Sequence, residues 1–273
     1  MLRNRLITAA VLVPLVVAGI LLLPSDVFAW VLGLLVLIAA REMGQLGGLR
    51  QPLWQAIYVA MLVLGLWGIQ ELFTSNTGQP VLLLAGVFWI LVTAWLVMRR
   101  APLEQVEGVR PLVLLGGGLL LVFAWFAVLA LHQREHIGPS LVLFLFILIW
   151  VADSGAYFAG RAWGERKLAP VVSPGKTWAG AGGALLGAIV CAVILDQLAL
   201  VPVTLPALIL LCLLVTVVSI GGDLFESLLK RQAGVKDSGK LLPGHGGALD
   251  RIDSLIAAAP VFVVGLGMLE LFA

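Results

Sequence analysis

Charged residues are scarce in this chain. Asp, Glu, Lys and Arg make up 12% of its 273 residues, against roughly 25% in ordinary soluble domains. Hydrophobic residues make up 61%, and the mean hydropathy is +1.10. This balance excludes a soluble globular domain and indicates an integral membrane protein. The net charge of +2 is too small to indicate a partner.

Cysteine is also rare. Cys191 and Cys212 lie in apolar runs without CxxC spacing, which argues against a disulfide or a cysteine metal site and favours two small buried side chains. A cleavable signal peptide is not expected. The apolar run 6–23 follows Arg3 and Arg5 but leads directly into a second apolar run, as a first membrane helix does.

Apolar runs of about 20 residues, the length of a membrane helix, recur along the chain. The sequence predicts nine spans, at about 6–23, 27–46, 53–70, 80–98, 112–131, 140–152, 181–200, 203–222 and 254–272. The sixth is short, and an alternative is that its helix continues past Asp153. The predicted fold is therefore an all-α, polytopic membrane protein with a single domain over 1–273. Within it we distinguish an N-terminal helical part, 1–135, from a C-terminal catalytic part, 136–273. The longest polar loops are predicted at 153–180 and 223–253.

The basic residues predict the orientation. With nine spans, 16 of the 17 Lys and Arg residues fall on the side that holds the N-terminus, and Arg134 falls on the other side. Lys and Arg favour the cytoplasmic side of a membrane. We therefore expect the N-terminus and both polar loops to be cytoplasmic, and the C-terminus to be periplasmic or otherwise outside.

Four carboxylates lie at the predicted cytoplasmic ends of spans, and they are Asp153, Asp223, Asp250 and Asp253. On a helix, Asp223, Ser227 and Lys230 share one face. Oxygen ligands from separate helices suit Mg²⁺, which takes one or two carboxylates together with substrate phosphates. The alternative for Asp250 and Asp253 is a purely structural role, because acidic residues at a helix start are stabilised by the helix dipole.

The segment 173–178, SPGKTW, is similar to the end of a phosphate-binding P-loop. Pro170 stands where that motif needs glycine, and no strand is expected before it, so the full motif is excluded. A Ser- and Gly-rich turn before a helix can still offer backbone N–H groups to an anion, with Lys176 adding a charge. The alternative is an interfacial loop whose Lys176 meets lipid headgroups.

A glycine-rich turn at 243–247 precedes the last span. Its glycines allow close approach of the backbone to an anion, although such turns often serve only as connections. His245 and Asp250 also match an H-x₄-D pattern of glycerolipid acyltransferases, but the other sequence blocks of those enzymes are missing.

The segment 227–253, SLLKRQAGVKDSGKLLPGHGGALDRID, resembles the signature of the phosphatidate cytidylyltransferases, or CDP-diacylglycerol synthases. The upstream segments ADSGAYFAGRAWGERKL and SPGKTWAG are similar to a second block of that family. The departures are Ala248, where a larger aliphatic residue is expected, and Ala179, where a polar or acidic residue is common.

The resemblance implies transfer of CMP from CTP to phosphatidic acid, giving CDP-diacylglycerol and pyrophosphate for phospholipid synthesis. Mg²⁺ is implied as the cofactor, with a second cation, of which a monovalent ion is one option. It also implies a homodimer in a bacterial-type inner membrane, with the site facing the cytoplasm and no nucleic-acid polymer as partner. The expected catalytic residues are Asp223, Asp250, Lys230 and Lys236, with both Asp as metal ligands. Expected to bind CTP or phosphate are Ser173, Lys176, Thr177, Ser227, Arg231, His245, Gly246, Gly247 and Arg251, supported by Asp153, Asp237 and Asp253.

Three other classes of membrane protein are alternatives to a cytidylyltransferase. A CDP-alcohol phosphotransferase would carry a D-G-x₂-A-R pattern, which the chain lacks. A lipid kinase would use ATP in place of CTP. A transporter would place ionisable residues near mid-membrane, often within inverted repeats, whereas the charges here collect at one face and no repeat is visible.

Overall fold

Nine helices and one short hairpin make up the computed structural model, which describes residues 2–74, 78–99, 101–239, 241 and 246–271. The helices are α1 (Leu2–Leu22), α2 (Ser25–Leu46), α3 (Pro52–Thr74), α4 (Gly78–Met98), α5 (Pro111–His132), α6 (Gly138–Trp163), α7 (Trp178–Gln197), α8 (Leu205–Gln232) and α9 (Leu249–Glu270). The hairpin lies between α6 and α7. Proline in the first turn starts α5, α6 and α8, where its missing N–H costs nothing.

The prediction of an all-α, polytopic membrane protein is confirmed. Each predicted span lies within one helix, to within a few residues at its ends. Among the described residues, seven helices are long and apolar enough to cross a bilayer, and the corresponding parts of α1 and α4 are shorter, Ala10–Leu22 and Leu82–Met98. Large apolar side chains such as Trp30, Trp67 and Leu112 are exposed on the outside of the bundle, as lipid-facing residues are.

The two polar loops are shorter than predicted. Helix α6 continues through Asp153 to Trp163, and α8 continues through Asp223 to Gln232. The connections that remain are 164–177 and 233–248. The charged residues at these helix ends therefore hold fixed positions on a rigid element, which matters for the site they form.

The absence of a strand before α7 is a wrong prediction. Strands β1 (Lys167–Ala169) and β2 (Ser173–Thr177) form an antiparallel hairpin in which Lys167 pairs with Thr177 and Ala169 with Ser173. The Thr177 hydroxyl then accepts a hydrogen bond from the Gly180 N–H and caps α7. The P-loop is excluded all the same, because the segment Ser173–Thr177 is itself a strand and not a loop that follows one.

Helix α9 is the most buried of the seven membrane-length helices and packs against α8, α5 and α4. Small residues from Ala257 to Ala259 are fully buried along it, so neighbouring helices approach closely. The core thus lies around α9, which carries Asp250 in its first turn and Asp253 in its second.

Helices α6 and α7 form the most extensive pair, and their backbones touch at two glycines. A Cβ added to Gly155 would lie 2.6 Å from the carbonyl oxygen of Gly183, and one added to Gly183 would lie 2.5 Å from the Cβ of Ala159. Close glycine contacts of this kind are typical of helix pairs in membranes. They bring the end of α6 beside the start of α7, where the hairpin delivers Lys176.

Candidate active site

A cavity of about 720 Å³ opens among the hairpin, the C-terminal ends of α6 and α8, and the first turns of α7 and α9. Among the described residues, twelve charged side chains line it, six of each sign. The acidic ones are Asp153, Asp223, Glu226, Asp237, Asp250 and Asp253, and the basic ones are Arg161, Lys176, Lys230, Arg231, Lys236 and Arg251. Their formal charges cancel. A polyanion that binds here therefore competes with these carboxylates for the basic groups, and cations that enter with it would reduce that competition.

Asp223 lies on the wall formed by α8 and contacts the hairpin. Its Oδ2 accepts an ion-paired hydrogen bond from the Lys176 Nζ at 2.8 Å, and the Ser227 hydroxyl donates to its Oδ1 at 3.3 Å. Ser227 follows one helical turn later, as the spacing predicts. The side chain of Asp223 is 36% exposed and that of Lys176 is 24% exposed, so both remain accessible to a ligand.

Lys230 joins α8 to α9. Its Nζ lies 2.6 Å from the Oε2 of Glu226, one turn earlier on α8, and 2.6 Å from the Oδ1 of Asp250 on α9. The three side chains are only 12%, 4% and 7% exposed, respectively. Water screens ion pairs as buried as these only weakly, so removing one partner should strongly lower the free energy of unfolding.

Asp250 is the most fully bonded of the predicted metal ligands. Its Oδ2 accepts the backbone N–H groups of Gly247 at 2.8 Å and Ser238 at 2.9 Å, and the Ser238 hydroxyl lies at 2.9 Å. Gly246 precedes this turn with φ of 80°, and its missing side chain leaves room for the Asp250 carboxylate. The turn is therefore shaped around Asp250.

Asp253 and Asp153 complete the acidic side of the cavity. Asp253 lies one turn after Asp250, where α8 and α9 approach so closely that a Cβ on Gly222 would lie 2.9 Å from the Cβ of Ala257. Its electrostatic neighbours include Asp223. Asp153 on α6 likewise interacts with Asp223 and with Lys176 and Arg251. Three helices thus contribute carboxylates to one space.

Most residues predicted for the site come together. Twelve predicted residues line the cavity: Asp153, Lys176, Thr177, Asp223, Ser227, Lys230, Arg231, Lys236, Asp237, Asp250, Arg251 and Asp253. Ser173, Gly246 and Gly247 do not line it, and the N–H of Gly247 is bonded to Asp250. The buried hydroxyl of Thr177 is bonded to Gly180. His245 lies outside the described residues, so its predicted role stays a prediction.

The predicted site residues do not include Glu226, Arg161, Ser238 or Glu42. Glu226 stands one turn before Lys230 on α8, and that i,i+4 spacing could have revealed it. Arg161 lines the cavity from α6, where its Nη1 donates to the hydroxyl of Tyr157 at 3.0 Å. The contacts of Glu42 and Ser238 join segments nearly 200 residues apart, and no local pattern signals them.

The carboxylates suit a hard cation whose coordination is shared with a ligand. No three His, Cys, Asp or Glu side chains converge into a ready-made metal site within the described part of the chain. Mg²⁺ does not need such a cage, since it takes one or two carboxylates and fills the remaining positions with phosphate oxygens and water. A neutral cavity with accessible carboxylate oxygens fits that mode of binding.

Comparison with known proteins identifies the family. The chain is 44% identical over 268 residues to a phosphatidate cytidylyltransferase of Pseudomonas aeruginosa, with 96% of each chain covered. It is 37% identical over 280 residues to the Haemophilus influenzae enzyme of the same name, covering 96% of this chain and 97% of that one. The Bacillus subtilis enzyme of that name is 43% identical over 130 residues, 48% of each chain.

The match to the family's sequence profile extends over almost the whole chain. The profile described as the cytidylyltransferase family covers residues 3–269, and therefore every element from α1 to α9. The cavity side chains and the helices that carry them all fall within the matched region. The chain belongs to the cytidylyltransferase family.

Proposed function

We propose that this protein transfers CMP from CTP to phosphatidic acid, forming CDP-diacylglycerol and pyrophosphate. The observation that carries the proposal is the cavity, around which α6, the hairpin and the segment 223–253 bring twelve charged side chains of the described residues. The named relatives support the choice of substrates, because two of them match 96% of the chain.

The chemistry needs positioning more than a strong base. A phosphate oxygen of phosphatidic acid attacks the α-phosphorus of CTP, forming a new P–O bond. The bond between that phosphorus and the oxygen bridging to the β-phosphate breaks, and the electron pair leaves with pyrophosphate. The lipid phosphate is already ionised, so catalysis consists chiefly of alignment and neutralisation of charge.

We infer that Lys230, Arg231, Lys236 and Lys176 hold the phosphates. Lys176 and Lys230 are paired with carboxylates of the protein, so a bound phosphate takes over one of the contacts of each ammonium. Arg231 and Lys236 are exposed, line the same cavity and extend the basic surface toward its opening.

We further propose that Mg²⁺ accompanies the nucleotide, held by Asp223 and Asp250. The equal numbers of acidic and basic side chains among the described lining residues support this, since a polyanionic substrate brings charge that these side chains do not balance. Asp223 has the more accessible carboxylate, whereas coordination by Asp250 requires Lys230 to share its Oδ1. When bound, the metal neutralises phosphate charge. A second cation remains a proposal on the same grounds.

We propose a cytoplasmic site in a bacterial inner membrane and a homodimeric enzyme. The side of the predicted topology that is rich in Lys and Arg supports the orientation, and the bacterial relatives support the location. The homodimer rests on the family resemblance and would be tested by crosslinking in membranes.

The test is turnover by purified protein in detergent with labelled CTP, phosphatidic acid and Mg²⁺. We expect label to enter the lipid phase, to be lost with EDTA, and to fall about 10²–10³-fold in Asp223→Asn and Asp250→Asn, as for the loss of one stabilising group at a reaction centre. Asp196→Asn, at the other end of α7, is the matched control. If folded wild-type protein forms no labelled lipid, the proposed function is wrong. An active Asp variant would refute only the role of that residue.

A further inference from the structure

We propose that Glu42, on α2, is a positioning residue for this reaction: it fixes the start of α9 and the turn that holds Asp250. The expected effect of Glu42 on catalysis rests on the proposed function. Its expected effect on the structure rests on its contacts alone. Glu42 lies near the C-terminal end of α2, is 7% exposed, and belongs to the part of the chain that is remote in sequence from the signature segment.

Glu42 supplies the cap that α9 lacks. Its Oε1 accepts the N–H of Ala248 at 3.0 Å, and its Oε2 accepts the N–H of Leu249 at 2.8 Å. Helix α9 begins at Leu249, and its own N-cap residue, Ala248, has no side chain that could accept a hydrogen bond. The first N–H groups of a helix need acceptors, and a negative charge there is stabilised by the dipole. A residue 206 positions earlier meets both needs.

Ser238 links Glu42 to Asp250. Its hydroxyl oxygen lies 2.9 Å from the Oε2 of Glu42 and 2.9 Å from the Oδ2 of Asp250, while its backbone N–H donates to the same Asp250 oxygen. The hydroxyl has a single proton, so it donates to only one of the two carboxylates at a time. Both carboxylates nevertheless lie in contact with this one small side chain. A displacement of Glu42 therefore changes the surroundings of Asp250.

Two glycines leave space for the Glu42 side chain. A Cβ added to Gly239 would lie 2.7 Å from the carboxyl carbon of Glu42, and one added to Gly247 would lie 2.5 Å from it. Neither glycine has a positive φ, so backbone conformation does not require glycine at either position. Gly239 and Gly247, which lie within the connection 233–248, are therefore both packed directly on Glu42.

Glu42 is placed to orient groups and not to react. It does not line the cavity, and both of its oxygens accept backbone N–H groups. Both oxygens must be acceptors, which a carboxylate provides and an amide does not. Glu42→Gln keeps the size of the side chain but sets an NH₂ group against a backbone N–H, so it tests the acceptor requirement with little change in volume.

The first experiment measures steady-state kinetics with labelled CTP. We expect Glu42→Gln to lower kcat about 10–100-fold, the usual effect of losing a group that orients a reacting residue. The KM for phosphatidic acid should stay within about twofold, because Glu42 does not touch the cavity. Glu107→Gln, an exposed residue on the same side of the predicted topology, is the control and should behave as wild type. Unchanged kcat in Glu42→Gln would overturn the catalytic consequence.

The second experiment tests the contact itself by double substitution. Gly239→Ala should impair activity about tenfold or more in the wild-type background, since the added methyl group meets the Glu42 carboxylate. In Glu42→Ala the carboxylate is gone, so the further loss caused by Gly239→Ala should shrink to about twofold or less. Losses that simply multiply would contradict the packing of Gly239 on Glu42.

A third readout separates the inference from the proposed function. Hydrogen exchange of peptides covering 246–251 should be slow in wild-type protein and at least about tenfold faster in Glu42→Gln, because the Ala248 and Leu249 amides lose an acceptor. Peptides from α5 should not change. If the wild type makes no CDP-diacylglycerol but the exchange changes as expected, the function is wrong and the role of Glu42 stands. Unchanged exchange would overturn that role whatever the activity.

Discussion

Lys230 shows at the scale of one residue how the cavity is held together. Its ammonium lies between Glu226 on α8 and Asp250 on α9, so one cation balances two carboxylates from different helices. The three side chains are almost fully buried, which makes the arrangement more than a surface ion pair. Lys230 therefore has two roles, fixing α8 to α9 and presenting positive charge to the phosphates.

We expect Lys230→Met to damage both roles. It leaves two buried carboxylates without their cation, which should lower the free energy of unfolding by about 3–5 kcal/mol. Turnover should fall by at least about 100-fold. Thermal unfolding in detergent and the labelled-CTP assay measure the two effects. Lys236→Met is the control, since Lys236 lines the cavity but is exposed, so it should lose activity with little loss of stability. Wild-type stability in Lys230→Met would contradict a structural role.

Sequence reasoning found the residues whose partners are close along the chain. Ser227 lies one turn after Asp223, and that spacing was enough to predict their shared face. It did not find Glu42 or Ser238, because their contact depends on how α2 packs against the turn before α9. It assigned Gly247 to the nucleotide, although its N–H is bonded to Asp250. Free backbone donors in a glycine turn can be counted only when the fold is known.

At the scale of elements, the contact between α6 and α7 decides where Lys176 and Asp153 lie relative to one another. Hydropathy alone located both helices, since their apolar runs are long. The apolar run of α6 ends at 152, because Asp153 and Arg161 are charged, whereas the helix itself continues to Trp163. The hairpin was missed for a different reason. Its strands have three and five residues, and β2 contains Pro174 and Gly175, so no alternating pattern signals them.

We expect Gly183→Ala to force α6 and α7 apart. The added methyl group would overlap the backbone of Gly155 and lie 2.5 Å from Ala159, and overpacking of this kind costs about 1–3 kcal/mol. The neighbouring Gly182 has no atom within 4 Å of an added Cβ, so Gly182→Ala should be neutral or slightly stabilising. Thermal unfolding in detergent compares the two variants. Equal stability of both would mean that the glycine contact does not hold this helix pair together.

At the scale of the whole molecule, the nine helices set both signature segments at one end of the bundle. The predicted topology assigned these segments to one side before any contact was known, from the alternation of Lys and Arg alone. The structure brings them around one cavity. The distribution of Lys and Arg predicts that this end faces the cytoplasm, but the fold does not show it. The orientation therefore needs a separate test.

We expect Arg166→Cys, beside the hairpin, to react with a membrane-impermeant maleimide only when the cytoplasmic face is opened. Glu135→Cys, between α5 and α6, should react from the outside. Both positions are exposed, and the natural Cys191 and Cys212 are buried, so background labelling should be low. The opposite pattern would invert the topology and place the site outside the cytoplasm.

The equal numbers of acidic and basic side chains that the described residues place around the cavity bear on which molecules compete for it. Anionic lipids crowd the cytoplasmic leaflet, and each Lys or Arg near the surface attracts them by about 1 kcal/mol. A cavity with surplus positive charge would collect their headgroups as inhibitors. Lys176 and Lys230 are already held by carboxylates of the protein, so a lipid headgroup must displace a carboxylate to contact either ammonium. We therefore expect anionic phospholipids other than the substrate to compete at the exposed Arg231 and Lys236 more than at these two lysines.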